Sequence, residues 1–250
     1  MGVSVIDDSV LSLFPAEKLT GNEFFPWYNF SGFLTEDGYR ELSDHFPSPA
    51  IFEKHTGLKR PDGQRPQNRY YLALDQSIYA DREGLGGSIR REELDPAWGR
   101  FIDELEGDDY RAFIKRTLDL SDFVVRFAWH LGHTGSEVCP HLDVPQKLAT
   151  HIFYFNEEGD WNPSWGGSTL VLGQKTTTAK NPEFEDFGAS VAVRTIGNSS
   201  FLFKNTPAAW HGVRPLTCPE GAYRRLFNVI LERKPSPLGK AWQRLRKASA

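Results

Sequence analysis

Methionine occurs once and cysteine twice in the 250 residues of this chain. Two thiols, Cys139 and Cys218, permit one bridge at most and no disulfide framework, so free thiols in a reducing compartment are expected. No stretch approaches the roughly 20 apolar residues of a membrane span. The opening segment, MGVSVIDDSVLSLFPAEK, has no basic stretch leading into a long apolar one, which argues against a secretory leader. Basic charge is not in excess either: Lys and Arg number 29 against 33 Asp and Glu, a net charge of −4. Even that balance is uneven. Arg233, Lys234, Lys240, Arg244, Arg246 and Lys247 crowd residues 233–250 with no acid among them, leaving 23 basic against 33 acidic residues in the body. An acidic body lacks the footprint that nucleic acid requires. The basic tail reads as a solvated helix end or a subunit contact, through which an oligomer could form. No internal repeat is visible. The expectation is a cytoplasmic protein with a small-molecule partner, no nucleic acid and no membrane.

What the chain has in quantity is aromatic: 18 Phe, 8 Tyr and 7 Trp, enough flat bulk to fill much of a core. The first half reads as mixed structure. Residues 35–45 open with Thr and acidic residues, as a helix start should. Residues 57–67, rich in Gly, Pro and charge, read as an exposed loop, and 68–75 as a strand. Over 91–118, Trp98, Phe101, Ile102, Leu105, Phe113, Ile114 and Leu118 recur at three- and four-residue intervals, and Gly107 divides that stretch into two helices. From Asp122 the period changes. Six short runs of β-branched and aromatic residues follow, at 123–130, 148–155, 168–172, 190–195, 199–203 and 225–232, separated by Gly, Pro and Asn turn formers. Many short strands without helical intervals predict a mainly β fold, a sandwich or small barrel, with flanking α-helices packed outside. One domain spans 1–250: a helical and mixed part over 1–121, a barrel core over 122–232 and the basic tail over 233–250.

Histidine is scarce, seven in all, and His130, His133, His141 and His151 fall close together. In His141-Leu142-Asp143, positions i and i+2 of an extended segment point to one side, so an imidazole and a carboxylate can converge. His211 follows in Ala209-Trp210-His211-Gly212-Val213, just after a predicted strand. Two imidazoles and a carboxylate are the ligands of a non-haem Fe(II) site with open positions. Taken alone, the pair is equally an Asp orienting a His. Thirteen residues past His211 begins Arg224-Arg225-Leu226-Phe227-Asn228-Val229-Ile230-Leu231, where a guanidinium on a strand can grip a carboxylate bidentately.

The succession HLD, LATHIFYFN, WGGSTLVL, NTPAAWHGV and RRLFNVIL resembles the Fe(II)- and 2-oxoglutarate-dependent dioxygenases, in particular their prolyl-hydroxylase-like branch. The resemblance covers 122–232; the first 120 residues carry no motif of that family. It implies a double-stranded β-helix, a jelly-roll or cupin-like barrel. It also implies His141, Asp143 and His211 as Fe(II) ligands, and Arg224 or Arg225 as the partner of the distal carboxylate of 2-oxoglutarate. Alternation puts Arg224 and Asn228 on one face and Arg225 and Val229 on the other. A small polar residue four after the basic one favours Arg224, with Asn228 as its companion, and makes Arg225 an outward, solvated charge. Tyr154 and His130 stand where the family often places co-substrate-binding side chains, though each equally suits a barrel-filling role. Arg126, on the face of His130, requires a partner if that face is interior, and Trp210 could line a substrate mouth. Gly166-Gly167 reads as a tight turn or bulge, not a phosphate loop.

The activity implied is hydroxylation of an unactivated C–H bond, with Fe(II), 2-oxoglutarate and O2 as cofactor and co-substrates and succinate and CO2 as by-products. Asp143 at the carboxylate position speaks for hydroxylation over halogenation, less often for desaturation or ring closure. The substrate expected is a small polar metabolite such as a free amino acid. A protein side-chain hydroxylase of the same chemistry and a non-catalytic metal-binding barrel are the alternatives.

Overall fold

The structure is a computed structural model and describes residues 4–57, 68–75 and 87–234. The 57–67 loop, apart from its first residue, and the basic tail from 235 onward lie outside the described residues. No helix among those described is long and apolar enough to cross a membrane.

The chain begins with short helices α1 (Asp8–Leu13) and α2 (Glu17–Thr20), strand β1 (Trp27–Ser31) and helix α3 (Glu36–Asp44). The Thr35 side chain caps α3 by accepting from the Gly38 N–H. Strands β2 (Glu53–His55), β3 (Arg69–Leu74) and β4 (Ser88–Ile89) precede helices α4 (Pro96–Glu106) and α5 (Asp108–Leu118). Asp95 caps α4 by accepting from Ala97, Pro96 opens its first turn, and Gly107 ends one helix and begins the next. In α5, Asp108 and Asp109 lie at the positive end of the helix dipole and Lys115 and Arg116 at the negative end. The predicted break at Gly107 is therefore observed, and the first helix starts at Pro96, five residues after the expected start at residue 91.

Eight strands complete the chain: β5 (Phe123–Gly132), β6 (Val138–His141), β7 (Lys147–Tyr154), β8 (Leu170–Lys175), β9 (Phe187–Ala192), β10 (Ser199–Lys204), β11 (His211–Val213) and β12 (Arg224–Arg233). A large sheet runs β1-β10-β7-β12-β5-β3-β2, with β4 paired to β3; a small one runs β6-β11-β8-β9. All pairings are antiparallel except β3 with β4. Side chains of both sheets meet in one cluster that includes Tyr154, Phe201, Phe203 and Leu226 from the large sheet and Val171 from the small one. This is the mainly antiparallel double-stranded β-helix expected from the resemblance.

The outer face of the large sheet carries the main core. Trp129, Phe153, Phe227, Val229 and Leu231 pack there against Trp98, Phe101, Ile102 and Leu105 of α4 and Tyr110, Phe113 and Ile114 of α5. Ring centroids lie 5.2 Å apart for Trp98–Trp129 and 5.0 Å for Trp98–Phe227. Burying each such ring is worth about 1.5–3 kcal/mol before cavity effects, so the helical layer holds the sheet flat against its back. The helices pack outside the barrel as expected. The first half also extends the large sheet: β1 lengthens one edge through β10, and β2 and β3 the other through β5.

Alternation on β12 divides the labour. Phe227, Val229 and Leu231 face the helices, which leaves Arg224, Leu226, Asn228, Ile230 and Glu232 for the barrel interior.

Candidate active site

His141 ends β6 and His211 begins β11, and the two are directly paired across the small sheet. That pairing brings their rings to 4.3 Å between centroids. Asp143 follows two residues beyond the end of the strand, and one ligand atom from each of His141, Asp143 and His211 lies within 4.8 Å of the others. Both imidazoles use Nδ1 in the same way: His141 Nδ1–H donates to Cys139 O and His211 Nδ1–H to Ala209 O, each at 3.0 Å. A carbonyl can only accept, so Nε2 carries the lone pair in each neutral ring. Such carbonyl anchoring is how metal-ligating histidines are commonly oriented.

Asp143 is held equally firmly. Lys147 Nζ donates to Oδ1 at 2.7 Å and Thr150 Oγ1 to Oδ2 at 3.3 Å. Burial, the largest influence, pushes the carboxyl pKa up, yet the Lys147 ammonium, joined by His211 and His141 when those rings are protonated, holds it well below the usual carboxylate range. The donor set, two neutral imidazoles and one ionised carboxylate converging from one side, fits a divalent transition metal with open positions, Fe(II) foremost.

A cavity of about 510 Å³ opens in front of this cluster, lined from both sheets. Arg224 enters it from the start of β12. Its side chain is buried, Nη2 donates to Thr169 Oγ1 at 3.1 Å, and its guanidinium carbon lies 5.3 Å from the centre of the Tyr154 ring. Tyr154 Oη and Thr169 Oγ1 share a hydrogen bond of 2.9 Å. Arg224 Nε is buried without a partner, and no carboxylate pairs with the guanidinium among the described residues. Burial lowers the Arg224 pKa, but a guanidinium does not lose its proton in proteins, so a buried cation stands uncompensated. Burial also raises the Tyr154 pKa, which keeps it a phenol.

The backbone makes room for this arrangement at Gly167. Its φ is +95°, and a Cβ there would lie 3.0 Å from Arg224 Cδ and 3.3 Å from Trp161 Cζ2. The Gly-Gly turn thus lets the guanidinium stem pass between the Trp161 ring and the main chain. Trp161 itself packs against Trp165, centroids 5.4 Å apart, and donates to Gly166 O at 3.0 Å.

The other sequence-predicted residues separate clearly. His130 lies in the cavity wall, buried and 5.1 Å from the Tyr71 ring, and burial pushes its pKa far below 6.5 so that it is neutral. Asn228 also lines the cavity, with Oδ1 buried and unpartnered. About 13 Å of strand separates it from Arg224, so it faces the middle of the cavity, and it is the Thr169 hydroxyl that accepts from the guanidinium. Arg126 lines the cavity and pairs with Glu232 at 2.9 Å. Arg225 points outward as alternation requires, but it is not simply solvated: it pairs with Asp160 and lies over the Phe46 ring at 5.9 Å. Trp210 is not part of the cavity lining. It stacks outside with Lys175 Nζ 4.6 Å above its ring and Phe187 5.7 Å away.

Lys147, Thr150, Thr169 and Glu232 were not foreseen. The Asp143–Lys147 spacing of four was visible in the sequence but belongs to no helix, and the other three depend on which strand lies beside which.

No family model and no curated protein matches the chain. Solved structures do. The prolyl-4-hydroxylase of Pseudomonas putida superposes with a TM-score of 0.57 at 16% identity, over 88% of this chain and 100% of that one. A prolyl hydroxylase of Trichoplax adhaerens, solved with a peptide fragment of the hypoxia inducible factor oxygen degradation domain, gives 0.57 at 15%, over 90% of each chain. HygX of Streptomyces hygroscopicus, with nickel and 2-oxoglutarate bound, gives 0.54 at 11%, over 88% of each. At these identities the likeness is one of fold.

Proposed function

We propose that this protein is an Fe(II)- and 2-oxoglutarate-dependent oxygenase that hydroxylates a small polar metabolite. The carrying observation is the pairing, inside one cavity, of an oriented His141/Asp143/His211 donor set with the uncompensated guanidinium of Arg224. A buried cation of this kind calls for an anion from outside the chain. A dicarboxylate held by one end at Arg224 and reaching the donor set with the other satisfies both. The shared fold with HygX, which holds nickel and 2-oxoglutarate, supports the same reading.

In this reading His141, Asp143 and His211 hold Fe(II), which supplies, with 2-oxoglutarate and O2, the oxidising chemistry that the side chains lack. Arg224 and Thr169 grip the distal carboxylate of the co-substrate through charge-assisted hydrogen bonds. Tyr154 closes that end: its ring covers the guanidinium, and its hydroxyl keeps Thr169 in place. His130, neutral through burial, offers the cavity an imidazole without adding positive charge. Leu226, Ile152 and Phe203 give the cavity apolar wall between the two polar ends and exclude water from the co-substrate stem.

The test is succinate formation from 2-oxoglutarate with Fe(II) and a panel of metabolites. His141→Ala is expected to abolish metal binding and turnover together. Arg224→Ala should raise the 2-oxoglutarate requirement far more than Arg225→Ala, whose partner Asp160 lies outside the cavity. Equal effects of the two substitutions would refute the assignment.

A further inference from the structure

A second polar feature lies on the cavity wall well away from Arg224. Arg126 on β5 and Glu232 on β12 are near-diagonal neighbours: Arg126 stands opposite Ile230, and Glu232 opposite Val124. Across the other side of β12, Glu232 is in register with Lys147. The pair therefore belongs to the stretch of wall where Lys147 and Thr150 hold Asp143. Eight residues of strand, about 25 Å, separate Glu232 from Arg224, so the two charged features cannot serve the same end of one small ligand.

The geometry of the pair is one-sided. Arg126 Nη2 and Nε both donate to the same oxygen, Glu232 Oε1, at 2.9 and 3.3 Å. A guanidinium and a carboxylate that serve only each other form two parallel bonds, one to each oxygen. Here Glu232 Oε2 and Arg126 Nη1 make no bond among the described residues. Both side chains are largely buried, 18% and 26% exposed, and both line the cavity. An acceptor carrying negative charge and a donor carrying positive charge are thus offered side by side, next to the metal-ligand cluster.

We infer that Arg126 and Glu232 are the receptor for the charged head of a free α-amino acid, its ammonium against Glu232 and its carboxylate against Arg126. This rests on the oxygenase reading above and narrows its substrate. An α-amino acid carries both charges on one carbon, so it can meet both groups while leaving every charge compensated. A simple anion is opposed by Glu232 and a simple cation by Arg126, since like charges brought together in a half-buried site are strongly disfavoured. A residue inside a peptide chain has neither charge and would meet the pair's open donor and acceptor only through its neutral amide groups, whose bonds are roughly half as strong as charge-assisted ones between full ions. The head group binding beside Asp143 would project the amino-acid side chain toward the donor set.

The test uses the whole protein with Mn(II) and 2-oxoglutarate, where binding is read without turnover by thermal shift and calorimetry. Free L-amino acids are compared with their N-acetyl and carboxamide derivatives. At least one free amino acid is expected to bind, with each blocked derivative weaker by about tenfold or more. Glu232→Gln, which keeps the shape and removes the charge, should weaken the free amino acid comparably and shrink its advantage over the N-acetyl derivative. Blocked derivatives or an internal peptide residue binding as tightly as the free amino acid would overturn the inference, as would 2-oxoglutarate binding normally while no amino acid binds. If 2-oxoglutarate itself fails to bind, or binds equally well to Arg224→Ala, the oxygenase reading fails and this inference with it.

Discussion

Replacing Gly167 by Ala adds one methyl group and separates backbone strain from a specific contact. Gly167 has φ +95°, where an L residue is strained by roughly 1–2 kcal/mol. For a domain of this size that corresponds to a loss of about 2–8 °C in Tm. The new Cβ would also stand 3.0 Å from Arg224 Cδ and 3.3 Å from Arg224 Nε. Carbon atoms are comfortable at about 3.5–4.0 Å, so the guanidinium stem must retreat by several tenths of an ångström. It has little freedom to do so without loosening its 3.1 Å bond to Thr169 and its seat over Tyr154. With Arg224 in its proposed role, impairing one charge-assisted hydrogen bond to the distal carboxylate costs about 1.5 kcal/mol, roughly a tenfold weaker affinity for 2-oxoglutarate.

Gly135 provides the control. Its φ is +77°, and an added Cβ would meet no heavy atom within 4 Å. Gly135→Ala and Gly167→Ala should therefore lose similar stability in urea or thermal unfolding. Only Gly167→Ala should lose 2-oxoglutarate affinity, measured by calorimetry with Mn(II) present. If both variants lose affinity alike, or if Gly167→Ala binds 2-oxoglutarate as the parent does, Arg224 is not the residue that grips it.

Further outcomes follow from the same geometry. Lys147→Met removes the ammonium 2.7 Å from Asp143 Oδ1 and leaves a carboxylate that is 8% exposed without its ion partner. The metal-free variant should lose about 2–3 kcal/mol, less than a fully buried pair because Lys147 is partly solvated. Added Mn(II) should then raise its Tm by more than it raises that of the parent; an equal or smaller gain would mean that metal and Lys147 do not share Asp143. His151 is buried between Tyr110 Oη at 3.1 Å and Ser200 Oγ at 3.0 Å, and desolvation holds its pKa far below 6.5. The folded state therefore keeps His151 neutral, while the unfolded chain takes up a proton below about pH 6.5. Stability should fall as pH drops below that value, by about 1.4 kcal/mol per pH unit for this histidine, with His130 adding a like term. His151→Asn should reduce the slope by about one proton between pH 6.5 and 5 in urea unfolding, and an unchanged slope would refute the assignment.

The three residues of the donor set were legible because their spacing is local or nearly so. His141 and Asp143 share one side of a short extended segment, and His211 follows a strand that patterning detects. The strands that present the histidines were not legible. β6 contains Pro140 and β11 is three residues long, so neither has the alternation by which a strand is recognised. Their existence comes from pairing with each other and with β8. Thr169 and Glu232 were hidden for a related reason: one matters because β8 leads it to Arg224, the other because β5 carries Arg126 beside it. Arg225 shows the same limit from the opposite side. Alternation foretold that it faces outward, but not that Asp160 and Phe46 would be waiting there.

Strand β12 ties these observations together, because its two faces answer to different demands. Phe227, Val229 and Leu231 are buried completely against the helices. Sliding the strand by one residue would expel them and bring Arg225, Phe227 and Val229 into the barrel in place of Arg224, Leu226 and Asn228. Three large apolar side chains at about 1.5–3 kcal/mol each oppose such a slip. The apolar face therefore fixes which arginine enters the cavity, although none of its side chains touches it. The same register sets Glu232 beside Arg126 and Arg224 beside Thr169 at opposite ends of the cavity wall. The placement of both pairs is thus enforced by packing on the far side of the sheet. Truncating Phe227 or Leu231 should accordingly loosen both ends together, whereas Gly167→Ala should disturb only one.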